Sequence, residues 1–100
     1  MNIQQLMKQA QSMQSDMEKI ERELNEKHTT VGNQGLTITM NGNHELVSVA
    51  IEPSLLHPEN KEIIEDLVLL SINQATRTIQ DERAERLGAL TKGLNLPGFM

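Results

Sequence analysis

Eight apolar residues lie between Ile3 and Leu24, and seven of them follow an alternating spacing of three and four. These seven, called the arm seam below, are Ile3, Leu6, Ala10, Met13, Met17, Ile20 and Leu24. Such spacing places the side chains along one stripe of an α-helix. The pattern therefore predicts a helical arm over residues 1–27, whose seam must be buried against another element.

The charges beside the arm seam argue against a parallel two-stranded coiled coil. In that arrangement, residues flanking the seam on the two helices pair across the interface, and opposite charges stabilise it. Here Asp16 would face Glu21 of the second helix, which places two carboxylates together. The length of the repeat is also marginal for a self-sufficient coiled coil. We expect the seam to pack within the same small fold, against another helix or a sheet.

The composition limits the chain to one domain with a thin core. The 100 residues include one Phe and no Trp, Tyr or Cys. A core of this size must come from Leu, Ile, Val and Met, and oligomerisation would add to it. Without cysteine there is no disulfide framework and no thiolate metal site. No apolar run is long enough to span a membrane and the start does not resemble a signal peptide, so we expect a cytoplasmic location.

The central segment, residues 28–52, has the alternation of an antiparallel sheet with two or three strands. Leu36, Ile38 and Met40 alternate with threonines, which is typical of a half-buried strand. Asn41-Gly42-Asn43 then predicts a hairpin with a primed turn, since Asn and Gly accept positive φ. The returning strand, Leu46–Ile51, is apolar or small on both faces. We expect it to be central in the sheet or to lie at an interface.

Residues 58–90 are predicted to be helical, as one long helix or as two shorter ones separated near Gly88. Residues 67–70 are apolar nearly all round, which is typical of a helix buried on more than one side. A chain of this length has little protein to cover them, so we expect a homodimer. The predicted interface residues are Leu46, Val47, Val49, Ile51, Leu67, Leu69 and Leu70. Residues 91–100 form a tail, and the whole chain is predicted to be a two-layer α+β fold.

The sequence gives no positive sign of catalysis or of a bound metal or cofactor. His28, His44 and His57 lie on separate predicted elements and lack metal-ligand spacing. No glycine-rich phosphate loop is present, and Ser54 lacks the context of a catalytic nucleophile. We therefore expect a protein that is not an enzyme.

The net charge of −5 is unevenly distributed, because residues 31–60 contain no Lys or Arg and no acidic residue precedes Asp16 or follows Glu85. If the first and last helices run antiparallel, basic residues of both ends collect at one end of the molecule. These residues are Lys8, Arg83, Arg86 and Lys92. They are candidate phosphate contacts for DNA, and the alternative is that they are ordinary solvated surface charges.

Several short motifs resemble the YbaB/EbfC family of bacterial nucleoid-associated proteins. They are Met40-Asn41-Gly42, Ile51-Glu52-Pro53-Ser54-Leu55-Leu56, Glu65-Asp66-Leu67-Val68, Ile72-Asn73-Gln74-Ala75 and Gly93-Leu94-Asn95-Leu96-Pro97-Gly98-Phe99. They occur in the family's order and cover essentially the whole chain, and the Met- and Gln-rich first helix is also similar.

This resemblance implies a homodimer with projecting helical arms that binds double-stranded DNA in the cytoplasm, on the nucleoid. It implies a role in nucleoid organisation or gene regulation, and no enzymatic activity. The alternative function is a protein-interaction module that docks another protein through its arms and its apolar tail, residues 94–100.

Overall fold

The computed structural model describes residues 2–92 of the chain. Helix α1 is followed by three strands, two short 3₁₀ turns and a second helix, α2, which confirms the predicted α+β fold. The bounds are α1 Ile3–Glu26, β1 His28–Asn33, β2 Leu36–Asn41, β3 Leu46–Ile51, 3₁₀ turns Pro53–Leu55 and Pro58–Asn60, and α2 Lys61–Lys92. The predicted tail, residues 91–100, begins two residues too early, because α2 continues through Lys92. Its remainder, residues 93–100, lies outside the described residues.

Helix α1 begins and ends where its local sequence allows. The Asn2 side chain accepts a hydrogen bond from the Gln4 backbone N–H at 3.1 Å, which satisfies one of the unpaired donors of the first turn. At the other end Lys27 is extended, and its N–H donates to the carbonyl oxygens of Glu23 and Leu24. The chain therefore passes directly from α1 into β1.

The three strands form an antiparallel sheet in the order β1-β2-β3. The primed geometry lies at the first connection, where Gln34 and Gly35 have φ of 49° and 97° between the paired residues Asn33 and Leu36. The predicted hairpin at Asn41-Gly42-Asn43 exists, but its positive φ of 63° is at His44. The reason is that the Asn41 carboxamide oxygen accepts from the backbone N–H groups of Asn43 and Glu45, which stabilises a longer loop.

Strand β3 lies at an edge of the sheet, and the expectation that it is central within the chain is wrong. Its pairing with β2 shifts register, so that Thr39 pairs with Ser48 while Met40 pairs with Leu46. Val47 is therefore an extra, bulged residue on this edge. The strand is exposed along nearly its whole length, because α2 packs mainly across β1 and β2.

The core lies between β2 and residues 67–79 of α2. Leu36, Ile38 and Met40 are buried on the sheet face that meets α2. The helix contributes residues at intervals of four, of which two are small: Leu67, Ser71, Ala75 and Ile79. The Asn33 carboxamide N–H donates to Ser71 Oγ at 2.9 Å, so the one buried polar side chain of the described residues is hydrogen-bonded.

Helix α2 is continuous through Gly88, which selects the single long helix from the two predicted alternatives. Its second half runs antiparallel to α1, since Glu82 contacts Lys27 while Arg86 contacts Glu23. The radius of gyration is 20.0 Å and the longest dimension is 70 Å. A compact domain of this length has a radius of gyration of about 13 Å, so the helices project from the sheet as an arm.

Gly42 marks the closest approach between α1 and the β2–β3 hairpin. Its backbone N–H donates to the Asn25 carbonyl oxygen at 3.2 Å. A Cβ atom built on Gly42 would lie 1.7 Å from the Leu24 carbonyl oxygen, a distance that no pair of non-bonded atoms can occupy. Glycine is required here because of this backbone contact, not because of its φ.

We therefore expect Gly42→Ala to lower the free energy of unfolding by about 1–3 kcal/mol. The matched control is Gly88→Ala, which has nothing within 4 Å of the new Cβ and should raise the stability by about 0.5–1 kcal/mol through helix propensity. Urea denaturation followed by far-UV circular dichroism at fixed protein concentration measures both. Equal effects of the two substitutions would contradict the close contact.

Candidate nucleic-acid interface

The base of the arm is a polar joint that connects α1, the β2–β3 hairpin and α2. Arg83 of α2 donates to the Asn25 side-chain oxygen at 2.7 Å and to the Gly42 carbonyl oxygen at 3.3 Å. The arginine therefore contacts α1 and the hairpin together. A planar guanidinium with several fixed donors suits such a position better than a lysine ammonium.

Two ion pairs extend this joint along the helices. Arg86 lies 2.9 Å from a Glu23 carboxylate oxygen, and Lys27 pairs with Glu82. The hydrogen bond from Arg86 holds the pKa of the Glu23 carboxyl below its ordinary value. Partial removal of water acts in the opposite direction, and the charges of Arg86 and Lys19 add to the lowering. Glu23 is therefore a fixed partner of α2 at neutral pH.

The structure does not bring the predicted DNA-binding residues together in one patch. Arg83 and Arg86 lie at the joint and point toward α1 partners. Lys8 lies fifteen residues before Glu23, which is about 22 Å along the helix. The side chain of Lys92 lies outside the described residues. The proposed cluster is thus divided between the joint and the far half of the arm.

The exposed surface of α1 carries cations that the sequence reasoning did not select. Lys19 follows Lys8 by eleven residues, close to three full helical turns, and Arg22 is almost one turn further. All three side chains are exposed, and none forms an ion pair within residues 2–92. We call Lys8, Lys19 and Arg22 the cationic face. The spacing of eleven residues between Lys8 and Lys19 could have indicated this face from the sequence, because side chains eleven residues apart lie on the same side of an α-helix.

Exposed apolar side chains occupy two places outside the arm. On β3, Leu46, Val47 and Val49 are 45–51% exposed. On α2, Leu69 is 62% and Leu70 45% exposed, and Leu70 lines a groove with Val31 of β1. Such a large apolar surface is typical of an interaction site.

The other predicted interface residues differ in burial. Leu67 is already buried within the chain and Ile51 is half-buried, so Leu67 belongs to the core. Leu56 and Ile63, which the sequence reasoning did not select, are also exposed. Leu56 directly follows the first 3₁₀ turn, and Ile63 lies in the first turn of α2.

The described residues contain neither a candidate metal site nor a membrane-spanning helix. Within residues 2–92, no three His, Asp or Glu side chains lie close enough to hold a metal ion. In the same range, no helix has the length and apolar character needed to cross a membrane.

The fold and its surfaces define a class of small two-layer α+β proteins in which paired terminal helices project beyond a three-stranded sheet. The model of the YbaB/EbfC DNA-binding family matches residues 1–94 of this chain. The chain belongs to this family, which confirms the resemblance seen in its motifs.

Similar proteins support the same assignment. A nucleoid-associated protein of Clostridium novyi is 44% identical over 101 residues, covering 99% of this chain and 89% of the relative. A nucleoid-associated protein of Clostridium kluyveri is 42% identical over 100 residues, covering 98% and 88%. The crystal structure of an uncharacterized Helicobacter pylori protein has the same fold, with a TM-score of 0.72 at 22% identity, covering 91% of this chain and 98% of that one.

The Glu23–Arg86 pair predicts how the stability of the joint depends on pH. Because the pKa of Glu23 is lower in the folded protein than in the unfolded chain, the pair stabilises the fold above the ordinary glutamate pKa of about 4.3. That contribution disappears as the pH falls through the lowered folded value.

We expect Glu23→Gln to be less stable than the wild type at pH 7, with the difference shrinking toward zero below about pH 4. Urea denaturation across this pH range measures it. The control is Glu21→Gln, since Glu21 has no ion-pair partner within residues 2–92. A difference that persists unchanged at low pH would contradict the assignment of the stabilising charge to Glu23.

Proposed function

We propose that this protein is a nucleoid-associated protein that binds double-stranded DNA as a homodimer, through the cationic face of its arms. The observation that carries the proposal is the position of Lys8, Lys19 and Arg22, which are exposed and unpaired within residues 2–92, on a projecting helix of a chain that belongs to a DNA-binding family. The relatives named nucleoid-associated proteins support a location on the nucleoid, in the cytoplasm.

Phosphate contact is the mode of binding that this surface supports best. The cationic face extends over about 21 Å of helix from Lys8 to Arg22, a length that spans several phosphates of a DNA strand. No acidic residue precedes Asp16, so the outer half of the arm does not repel DNA. The sheet has no Lys or Arg, which makes it unsuited to phosphate binding. Asn and Gln side chains on α1 are candidates for base contacts by residue type only.

Arg83 and Arg86 serve a positioning role in this proposal. Their guanidinium groups are engaged by Asn25, Gly42 and Glu23, and these contacts fix the direction of α1 relative to the sheet. A fixed arm presents its cations at a constant spacing, which reduces the conformational entropy that binding removes.

Dimerisation gives the exposed apolar side chains of β3 and α2 a partner. A twofold interface is self-complementary, so that one patch on each protomer can cover a different patch on the other. Edge strand β3 also has unpaired backbone groups that a second copy can satisfy. Two protomers would bring two cationic faces to one duplex and neutralise twice as many phosphates. Roles in nucleoid organisation and gene regulation would follow from this mode of binding.

We expect Lys8→Gln/Lys19→Gln to weaken binding to duplex DNA about tenfold or more at low salt. The slope of log affinity against log salt concentration should fall by about 0.9 for each phosphate that the variant no longer neutralises. Lys61→Gln/Arg77→Gln is the control, since it removes the same charge from α2. Mobility-shift titrations at two salt concentrations measure both. Equal weakening in the two variants would mean that only the net charge matters, and an absence of binding by the wild type would exclude the DNA-binding function.

The dimer is tested by Val49→Asp, which places a carboxylate on the exposed face of β3. Light scattering should report a mass of roughly twice the 11.2 kDa chain for the wild type, and a monomer for the variant. Ile3→Asp provides the control, because Ile3 is 72% exposed at the tip of the arm and far from β3. A monomeric wild type at micromolar concentration would refute the proposed homodimer.

A further inference from the structure

Asn41 and Gly42 form the single Asn-Gly pair of the sequence, and they lie where the hairpin meets the base of the arm. In such a pair the glycine nitrogen can attack the asparagine side-chain carbon Cγ, because glycine has no side chain to hinder the approach. Every other asparagine of the chain is followed by a residue that carries a side chain. Asn41 is therefore the asparagine with the highest intrinsic tendency to deamidate.

Deamidation at this pair consumes one water molecule and releases one ammonia molecule. The Gly42 backbone nitrogen loses its proton and bonds to Asn41 Cγ, while the carboxamide nitrogen takes up a proton and leaves as ammonia. Water then opens the resulting succinimide ring at one of its two carbonyl carbons. Opening at Cγ gives aspartate, and opening at the main-chain carbonyl gives isoaspartate, in which the backbone runs through Cγ.

The folded joint protects the nitrogen that must react. Gly42 is buried, and its N–H donates to the Asn25 carbonyl oxygen at 3.2 Å. The proton can be removed only when this hydrogen bond opens, which is also the requirement for amide hydrogen exchange. Arg83 donates to the Asn25 side chain and to the Gly42 carbonyl oxygen. Opening at Gly42 therefore requires the joint between α1, the hairpin and α2 to loosen.

The products of the reaction do not fit the closed joint. Isoaspartate inserts one carbon atom into the main chain before Gly42, which lengthens the backbone by about 1.5 Å. A Cβ built on Gly42 would lie 1.7 Å from the Leu24 carbonyl oxygen, so the contact has no space for this displacement. Aspartate keeps the normal backbone, but it places a second carboxylate beside Glu45, to which the Asn41 carboxamide N–H donates at 3.2 Å.

We propose that Asn41 is a deamidation site whose reaction is gated by the arm joint. Asn41 reacts when α1 separates from the hairpin, and the isoaspartate form then prevents the joint from closing again. The covalent product thus accumulates with the time that the joint spends open. The inference goes beyond the proposed function and does not depend on DNA binding, so each can fail without the other.

Peptide mapping of the full chain after incubation in mildly alkaline buffer tests the site. The tryptic peptide of residues 28–61 contains both Asn41 and Asn43, since residues 31–60 have no Lys or Arg, so Asn43 is an internal control. Tandem mass spectrometry should locate the product at Asn41. We expect conversion to be about tenfold or more faster in the urea-unfolded chain, where Gly42 is not protected. Equal rates in the folded and unfolded chain, or an unfolded chain in which Asn41 reacts no faster than Asn43, would overturn the proposal.

The gate is tested by Arg83→Gln, which removes the contacts of this guanidinium with Asn25 and Gly42. Deamidation of Asn41 and hydrogen exchange of the Gly42 amide should accelerate by the same factor, about tenfold, because both require the same opening. Arg77→Gln removes the same charge from a groove on the β1 side of α2 and should change neither rate. If Arg83→Gln does not fold, wild-type protein in urea below its unfolding transition gives the same comparison. A change in only one of the two rates, or in neither, contradicts the gate.

The effect of isoaspartate on the joint is measured on the aged form after chromatographic separation. Amides at the end of α1, residues 22–26, should exchange about tenfold faster in this form than in Asn41→Asp. The substitution provides the matched control, because it carries the same charge on an unaltered backbone. Equal exchange in the two forms would show that isoaspartate does not prevent closure.

Discussion

Close packing of α2 on the central strand determines where every other element lies. Ser71 and Ala75 are fully buried, and their small side chains let the helix approach β2 at the level of Leu36 and Ile38. The Asn33 amide also donates to Ser71 and to Gln74, which fixes the helix along β1. Because α2 is one continuous helix of 32 residues, its first half determines the position of the sheet and its second half determines the position of α1. A larger residue at either small position would displace both.

The cations named above within residues 2–92 fall into two groups with different surroundings. Arg83 and Arg86 are engaged by oxygen atoms of α1 and the hairpin, so their charge contributes mainly to the joint. Lys8 and Lys19 have no ion-pair partner within residues 2–92 and stay exposed. A net charge of −5 therefore does not describe the electrostatic potential at the arm. Salt screens charges that lie more than about 8–10 Å away, so the charges on the arm itself dominate its potential.

Much of the fold was predictable from the sequence, because buried positions recur at the period of a helix or a strand and are occupied by apolar residues. The arm seam and the alternation of Leu36, Ile38 and Met40 predicted α1 and β2. The position of β3 at an edge was not predictable, since a strand that is apolar on both faces reads the same in a sheet centre and at a subunit contact. The primed turn at Gln34-Gly35 was missed because the stronger Asn-Gly signal lies at the next hairpin, where the Asn41 side chain stabilises a different loop. The roles of Arg83 and Arg86 depended on contacts over 58 and 63 residues of sequence, which local patterns do not reveal.

The contact between Gly42 and Leu24 also gives α1 the mechanics of a lever. Lys8 lies about 24 Å beyond this contact along the helix axis. A rotation of about 10° at this contact would displace Lys8 by about 4 Å, similar to the axial rise of about 3.4 Å per phosphate of one DNA strand. Close packing at one glycine therefore restrains the position of the far end of α1 through a long lever arm.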